Sequence, residues 1–263
     1  MSYDVIFLKE KLKNNLLGGH ITYYRETEST NDDAFLLALQ GAGEGVVVLA
    51  DAQNKGKGRY RRSWHSPPGA NIYLSVILRP PIGLDEASRI PILAGVAAAE
   101  TIEYFCARRV CLKWPNDVLL DGKKVCGILS QLKAVDQKIH FIVLGVGINV
   151  NIRAEEFPDE LKASATSMLV QTGAFLKRED VVIILFENLA KWYKKLLKNG
   201  FEDIQSAWLK KTNMIGKKVI VNCLGEIISG LARGIDDRGS LILVNDQNET
   251  ITISAGDATL VKE

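Results

Sequence analysis

Gln53-Asn54-Lys55-Gly56-Lys57-Gly58-Arg59-Tyr60-Arg61-Arg62-Ser63-Trp64-His65-Ser66-Pro67-Pro68-Gly69-Ala70-Asn71-Ile72-Tyr73 follows one apolar stretch, 45–50, and runs into another, 71–78. Both stretches read as strands, the second stopped by Pro80 and Pro81. Between them, Lys55, Lys57, Arg59, Arg61 and Arg62 crowd into eight positions. Gly56 and Gly58 let backbone N–H groups come close to a bound group. The cations suit phosphate or carboxylate oxygens, and Trp64 offers a flat face to a planar ring. A solvated basic turn or a nucleic-acid patch is an equal reading of these residues alone.

Upstream, Val5, Leu8, Leu12 and Leu16 recur at helical spacing across 3–17, and 20–25 is strand-like. Ser29-Thr30-Asn31 precedes an apolar run and reads as a helix start. Downstream, the alanine-rich 86–105 is long enough for a buried helix. Strand-like stretches follow at 110–114, 118–120, 124–132 and 139–146, with Asp121-Gly122 as a hairpin turn. Val181, Ile184, Leu185, Leu189 and Leu196 mark a helix over 178–198, and another is expected over 201–211. Beyond Ile215 come five short stretches, 217–221, 227–234, 240–244, 250–254 and 259–261, separated by turn residues. They suggest a small SH3-like β-barrel. The break near Asn213 divides the chain into expected domains 1–212 and 213–263.

Composition narrows the function. The 263 residues are 47% hydrophobic and 24% charged, with a net charge of only +2. A general nucleic-acid binder would be strongly basic. Cys106, Cys111, Cys126 and Cys223 form no C-x-x-C pair and read as small core residues in a reducing compartment. His20, His65 and His140 show no metal-ligand spacing. No apolar run approaches a membrane span, so no membrane contact and a cytoplasmic location are expected.

Three further segments carry polar groups able to do chemistry. Lys113-Trp114-Pro115-Asn116-Asp117 sets an amide and a carboxylate at a strand junction, where a carboxylate can hold Mg²⁺ or a ribose hydroxyl. Lys123 and Lys124 flank the hairpin. Gly145-Val146-Gly147-Ile148-Asn149 closes an apolar strand with two glycines that permit close approach. The bland readings are a helix cap for Ser29-Thr30-Asn31, an ordinary turn for Asn116-Asp117 and solvated turn lysines. The basic loop is not a Walker A loop, because Gly-Lys is followed by Gly-Arg.

In this order the segments resemble the biotin–protein ligases, also called biotin–[acetyl-CoA-carboxylase] ligases. The match runs through Ser29-Thr30-Asn31, Gln53 with Gly56-Lys57-Gly58-Arg59, Arg62, Trp64, Ser66 to Tyr73, Lys113 to Asp117, Lys124 with Gly127-Ile128-Leu129, and Gly145 to Asn149. The resemblance implies an α+β fold: a class II synthetase-like mixed sheet with helices, followed by the SH3-like barrel. It implies that biotin and ATP give biotinyl-5′-AMP, with Mg²⁺, and that biotin passes to one lysine of a biotin carboxyl carrier protein. Lys124, Asp117 and Lys57 are the catalytic candidates. Lys124 would hold the biotin carboxylate and the α-phosphoryl oxygens, and Asp117 would help position the metal or accept a proton. Ser29, Thr30 and Gln53 would face the biotin ureido ring, which needs donors and acceptors together, and Asn31 is a further binding candidate. Gly56, Lys57 and Arg59, with Gly58 between them, would fold over biotin and the adenylate, Arg62 would stand on the phosphate side, Trp64 would stack on adenine, and Asn116 and Asn149 would contact the nucleotide. Gly127, Gly145 and Gly147 would line the pocket. The resemblance also implies a homodimer.

The chain departs from the family at several points. Arg61 stands where the loop commonly has glycine, and Lys57 where several members have arginine, which alone offers a bidentate fork. Five like charges predict a loop that orders only on its ligand. Some members are also repressors with a DNA-binding domain of roughly 60 residues, a small-domain size. Only 28 residues precede Ser29 here, so a ligase without specific DNA binding is expected. The neighbouring possibilities are a lipoate–protein ligase, whose arginine–serine–glycine–glycine block is not found, a biotin-sensing repressor, and an inactive biotin binder.

Overall fold

The computed structural model describes residues 2–223 and 225–261. In chain order its elements are α1 (Val5–Leu12), β1 (His20–Tyr24), α2 (Thr30–Leu39), β2 (Val46–Ala50), β3 (Ile72–Leu78), α3 (Arg89–Cys106), β4 (Val110–Lys113), β5 (Asp117–Leu120), β6 (Lys123–Val135), β7 (Lys138–Ile148), the short α4 (Asp159–Lys162) and α5 (Met168–Thr172), α6 (Arg178–Asn199), α7 (Glu202–Lys211), β8 (Lys218–Cys223), β9 (Glu226–Ile235), β10 (Leu241–Val244), β11 (Thr250–Ile253) and β12 (Asp257–Leu260). Helix α1 stops four residues short of Leu16, which is exposed. Leu17 takes the buried position instead, its N–H held by the Asn15 side chain at 3.0 Å.

The first seven strands make one mixed sheet in the order β1-β2-β3-β7-β6-β5-β4. Only β1 and β2 run parallel. Strands β3 and β7 are mostly apolar where both faces are covered, with Ser75 the polar exception in β3 and Lys138 and His140 exposed at the start of β7. Ile72, Leu74, Val76, Ile142, Leu144, Val146 and Ile148 join the main core with α3 and α6. Val48, Ile77, Phe141 and Val143 pack instead against Ala34 and Ala38 of α2. Side chains alternate along a strand, so Ser75, Gly145 and Gly147 also fall on the α2 face, beside the start of that helix. Pairing adds Gly127 opposite Gly147 and Leu129 opposite Gly145. A strip of small residues therefore floors one end of the sheet. The β5–β6 hairpin turns through Asp121 and Gly122, both with positive φ, 50° and 76°, as a two-residue type I′ turn requires.

The start of α6 is tied to the sheet by a buried ion pair. Arg178 Nη2 lies 2.7 Å from Asp51 Oδ1, and its Nη1 donates to the Asn71 carbonyl at 3.0 Å. Tyr3 lies against the same guanidinium, 4.0 Å from ring centroid to Cζ. Asp51→Ala removes the charge that balances Arg178 in the interior, and is expected to cost about 3–5 kcal/mol, read as a lowered denaturant midpoint. A loss below about 1 kcal/mol, the scale of an exposed pair, would contradict this role.

The last five strands form a second, antiparallel sheet in the order β11-β10-β9-β8-β12. Its two edges, β11 and β12, are joined directly by 254–256. Laid flat, such edges would stand about 19 Å apart at the usual strand spacing, while a link this short reaches about 14 Å at most. The sheet must therefore curl. Trp114 anchors it to the first sheet: the ring is 1% exposed and its Nε1–H donates to the Gly239 carbonyl at 3.0 Å. Arg89 Nε donates to the Asp237 carbonyl at 2.7 Å.

Candidate active site

The glycine strip lets an indole lie flat on the backbone. A Cβ added to Gly147 would come within 2.6 Å of Trp64 Cε2 and Nε1, and one added to Gly127 within 2.8 Å of Cζ3. Trp64 leads out of the basic loop, and its N–H and carbonyl face Gly56 and Ser66. Gly56 must be glycine, because a Cβ there would meet the Trp64 carbonyl at 2.5 Å. Lys124 Nζ stands 5.4 Å from the indole centroid and 2.6 Å from Asp117 Oδ1. Asp117 opposes Gly127 in the register of β5 and β6, so the carboxylate and the ammonium meet at the edge of the strip. The Lys124 backbone is fixed from the far side, its N–H donating to Ser164 O at 2.8 Å and its carbonyl accepting from Thr166 N at 2.9 Å. This ammonium is therefore held in place at the mouth of the site.

At the other end of the strip, Ser29 is at the N-cap but its side chain makes no capping hydrogen bond. Gln53 Oε1 does that work, accepting from Thr30 N at 2.9 Å and Thr30 Oγ1 at 3.0 Å. Gln53 Nε2 donates to Ser66 Oγ at 3.0 Å. Ser29-Thr30-Asn31 does start α2, with Ser29 at its N-cap, but the expected side-chain capping bond is absent. These residues are buried at 1%, 3% and 5% exposure in a polar network that reaches the sheet. Asn31 Nδ2 donates to Gln131 Oε1 at 2.8 Å, and Asn31 Oδ1 lies 2.7 Å from Ser75 Oγ. A Cβ at Gly145 would sit 2.0 Å from that same Oδ1. Sequence reasoning missed Ser75 and Gln131. Ser75 was detectable as the one polar residue in an otherwise apolar strand.

The loop 54–63, with Leu129 and Gln131, lines a cavity of about 690 Å³. Four of the five cations have carboxylate partners: Lys55 with Glu28 at 2.5 Å, Lys57 with Asp32 at 2.6 Å, Arg59 with Asp257 at 3.1 Å and Arg62 with Asp257 at 2.7 Å. The expected mutual repulsion is offset by these acids, which stand just before α2, in its first turn, or in the second sheet. Lys57 pairs with Asp32 in the first turn of α2. Arg61 adopts φ 60° and Tyr60 φ 53°, the left-handed region that favours glycine. The family's usual glycine at position 61 now has a physical reason. Arg61→Gly is expected to raise stability by about 1 kcal/mol, the cost of a side chain in that region, measured by chemical denaturation. A destabilised Arg61→Gly protein would show that the arginine side chain outweighs its backbone strain.

Asn116 and Asn149 act first as braces. Asn116 Nδ2 donates to Ile128 O at 2.7 Å, and its Oδ1 lies 3.5 Å from Arg59 Nη1. Asn149 Nδ2 donates to Thr166 O at 3.0 Å, supporting the segment that holds Lys124. Cys126, fully buried beside Lys124, has its thiol pushed up by burial against the opposing pull of the ammonium; Cys106 is pushed up to about 11, also by burial. Both stay protonated at neutral pH, as core cysteines should. Among the described residues no three His, Cys, Asp or Glu side chains cluster to hold a metal. A lone carboxylate, Asp117, still fits Mg²⁺, which is commonly bound by one or two carboxylates plus substrate phosphates. No helix of the described residues is long and apolar enough to cross a membrane.

Comparison with known proteins covers both sheets. The model described as the biotin/lipoate A/B protein ligase family matches residues 23–149, and that of the biotin protein ligase C terminal domain matches 214–261. The bifunctional ligase/repressor BirA of Bacillus spizizenii is 38% identical over 232 residues, 88% of this chain and 71% of that protein. The biotin–[acetyl-CoA-carboxylase] ligase of Paracoccus denitrificans is 34% identical over 220 residues, 82% of this chain and 91% of that protein. Among solved structures, the biotin protein ligase of Aquifex aeolicus in complex with biotin and ATP superposes with a TM-score of 0.79 at 28% identity, covering 93% of this chain and 99% of that one.

Proposed function

The chain belongs to the biotin protein ligase family, and from that premise we propose how its residues divide the work. The protein is an AMP-forming ligase that activates biotin with ATP to biotinyl-5′-AMP and transfers biotin to a lysine of a carboxyl carrier protein. In the first step a biotin carboxylate oxygen bonds to the α-phosphorus and the bond to the β-phosphate oxygen breaks, releasing pyrophosphate. Two anions must meet, so fixed positive charge is the main requirement. Lys124 meets it, at the edge of the glycine strip beside the Trp64 indole. The observation that carries this reading is the ion pair of Lys124 with Asp117 beside the indole-covered glycine strip. A carboxylate that fixes the ammonium's position reduces the reorganisation needed when charge develops.

Thr30, Gln53 and the groups they orient suit the ureido ring of biotin, which has two donors and one acceptor. Arg59 and Arg62 serve the phosphates, and Trp64 serves adenine. Mg²⁺ would offset triphosphate charge, with the Asp117 oxygen turned away from Lys124 able to hold it. In the second step the carrier lysine's neutral amine attacks the biotinyl carbonyl and AMP leaves; Asp117 accepts the proton that the amine must lose. We assign residues 1–212 to catalysis and 213–263 to the C-terminal domain. The net charge of +2 supports a ligase that binds no specific DNA. The open edge at β1 suits pairing of two copies along the sheet, which sedimentation would read.

The deciding experiment is ATP–pyrophosphate exchange with purified protein. Exchange that requires biotin and is not supported by lipoate is expected. Exchange driven by lipoate, or independent of biotin, would replace this reading with that of a lipoate–protein ligase or another adenylating enzyme.

A further inference from the structure

Asp257 opens β12 in the second sheet, yet its carboxylate ends among the cations of the basic loop. Oδ1 is 3.1 Å from Arg59 Nη1, and Oδ2 is 2.7 Å from Arg62 Nη2. Arg59 Nη1 also donates to the Gly256 carbonyl at 2.9 Å, and it reaches toward Asn116 Oδ1 at 3.5 Å. The turn that aims the carboxylate is tightly built: Gly256 has φ +153°, and a Cβ there would meet Val221 Cγ1 at 2.5 Å.

The burial of the Arg59–Asp257 pair separates it from the other contacts of the loop. The Arg59 and Asp257 side chains are 21% and 22% exposed and Arg62 meets Asp257 from the solvent side at 71%, while Lys55 and Glu28 are 76% and 55% exposed and Lys57 and Asp32 43% and 46%. Pairs exposed on both sides are screened by water and salt and fix little. Asp257 is shielded and bridges two guanidinium groups that would otherwise repel. Each guanidinium carries five N–H donors, so the bridge leaves donors on both free to meet phosphate oxygens. Two arginines against one carboxylate also leave a net positive charge for an incoming anion.

We propose that Asp257 is a positioning residue for the nucleotide: its carboxylate clamps Arg59 and Arg62 together, so that both present their remaining donors to the phosphates of ATP. The second domain thereby takes part in the first half-reaction through a single side chain. The proposal rests on the reading that Arg59 and Arg62 serve the phosphates.

The test uses the full chain in biotin-dependent pyrophosphate exchange. Asp257→Asn keeps the shape and removes the charge. It is expected to raise KM for ATP about tenfold, the loss typical of a charge-assisted hydrogen bond, with KM for biotin and the melting temperature little changed. Asp257→Glu should recover part of the loss. In an Arg62→Ala background, which raises KM for ATP by itself, Asp257→Asn should add much less. An unchanged or lowered KM for ATP in Asp257→Asn would overturn the proposal. So would an equal further rise in the Arg62→Ala background, or parallel losses for ATP, biotin and melting temperature, which mark damage to the turn. If Arg59→Ala and Arg62→Ala themselves leave KM for ATP unchanged, the phosphate reading of the loop fails and the proposal falls with it; a silent Asp257→Asn beside impaired arginine variants condemns the clamp alone.

Discussion

Lys124→Ala is expected to reduce biotin-dependent ATP–pyrophosphate exchange by about 10²–10³-fold, the loss typical when one donor aimed at developing anionic charge is removed. The fold should survive. The Lys124 side chain is 33% exposed, so its ion pair with Asp117 contributes little to stability, and the backbone contacts with Ser164 and Thr166 do not depend on the side chain. Lys124→Arg is not expected to rescue, since a longer planar head cannot occupy the point now held 2.6 Å from Asp117. Near-wild-type exchange in Lys124→Ala would mean that the positive charge for the first step comes from elsewhere in the site.

Gly147→Val should be nearly as damaging, by a different route. The new Cβ would lie 2.6 Å from the Trp64 ring, a distance that no packed carbon tolerates. Sliding sideways brings the indole no relief, because Gly127 lies under the same ring. The indole must lift off the sheet, and the platform offered to adenine is lost. Stacking of a base on an aromatic side chain is worth about 1–3 kcal/mol, so kcat/KM for ATP should fall about tenfold or more. Tryptophan emission should shift to the red, because Trp114, Trp192 and Trp208 are buried at 1%, 6% and 1% exposure and only Trp64 gains water. Unaltered ATP kinetics in Gly147→Val would remove the indole from the nucleotide site.

Much of this site was legible in the chain because its parts are local. Strand–loop–strand, the Asp121-Gly122 hairpin and the glycine pair near Asn149 each lie within a few residues, and alternation along β3 and β7 assigns their faces. The groups that organise the site were hidden because they come from distant segments. Gln53 replaces the expected cap at α2 through tertiary contact. Ser75 and Gln131 reach Asn31 only once β3 and β6 are in register. The acids that balance the loop lie at Glu28, Asp32 and Asp257, the last in the second sheet, and no local pattern couples residue 257 to residue 59. The loop's charge argued for repulsion; the fold answers it with carboxylates. Arg61 shows the converse, since a left-handed backbone cannot be read from an arginine and its strain becomes visible only in the folded chain.

The central claim is that this site joins biotin to the α-phosphate of ATP. It is tested most directly by a native mass spectrum of the protein after incubation with biotin, ATP and Mg²⁺. A species carrying the mass of biotinyl-5′-AMP is expected, and it should be lost in Lys124→Ala. Biotin and ATP bound side by side with no adenylate, or an adenylate that forms as readily on Lys124→Ala, would contradict the account.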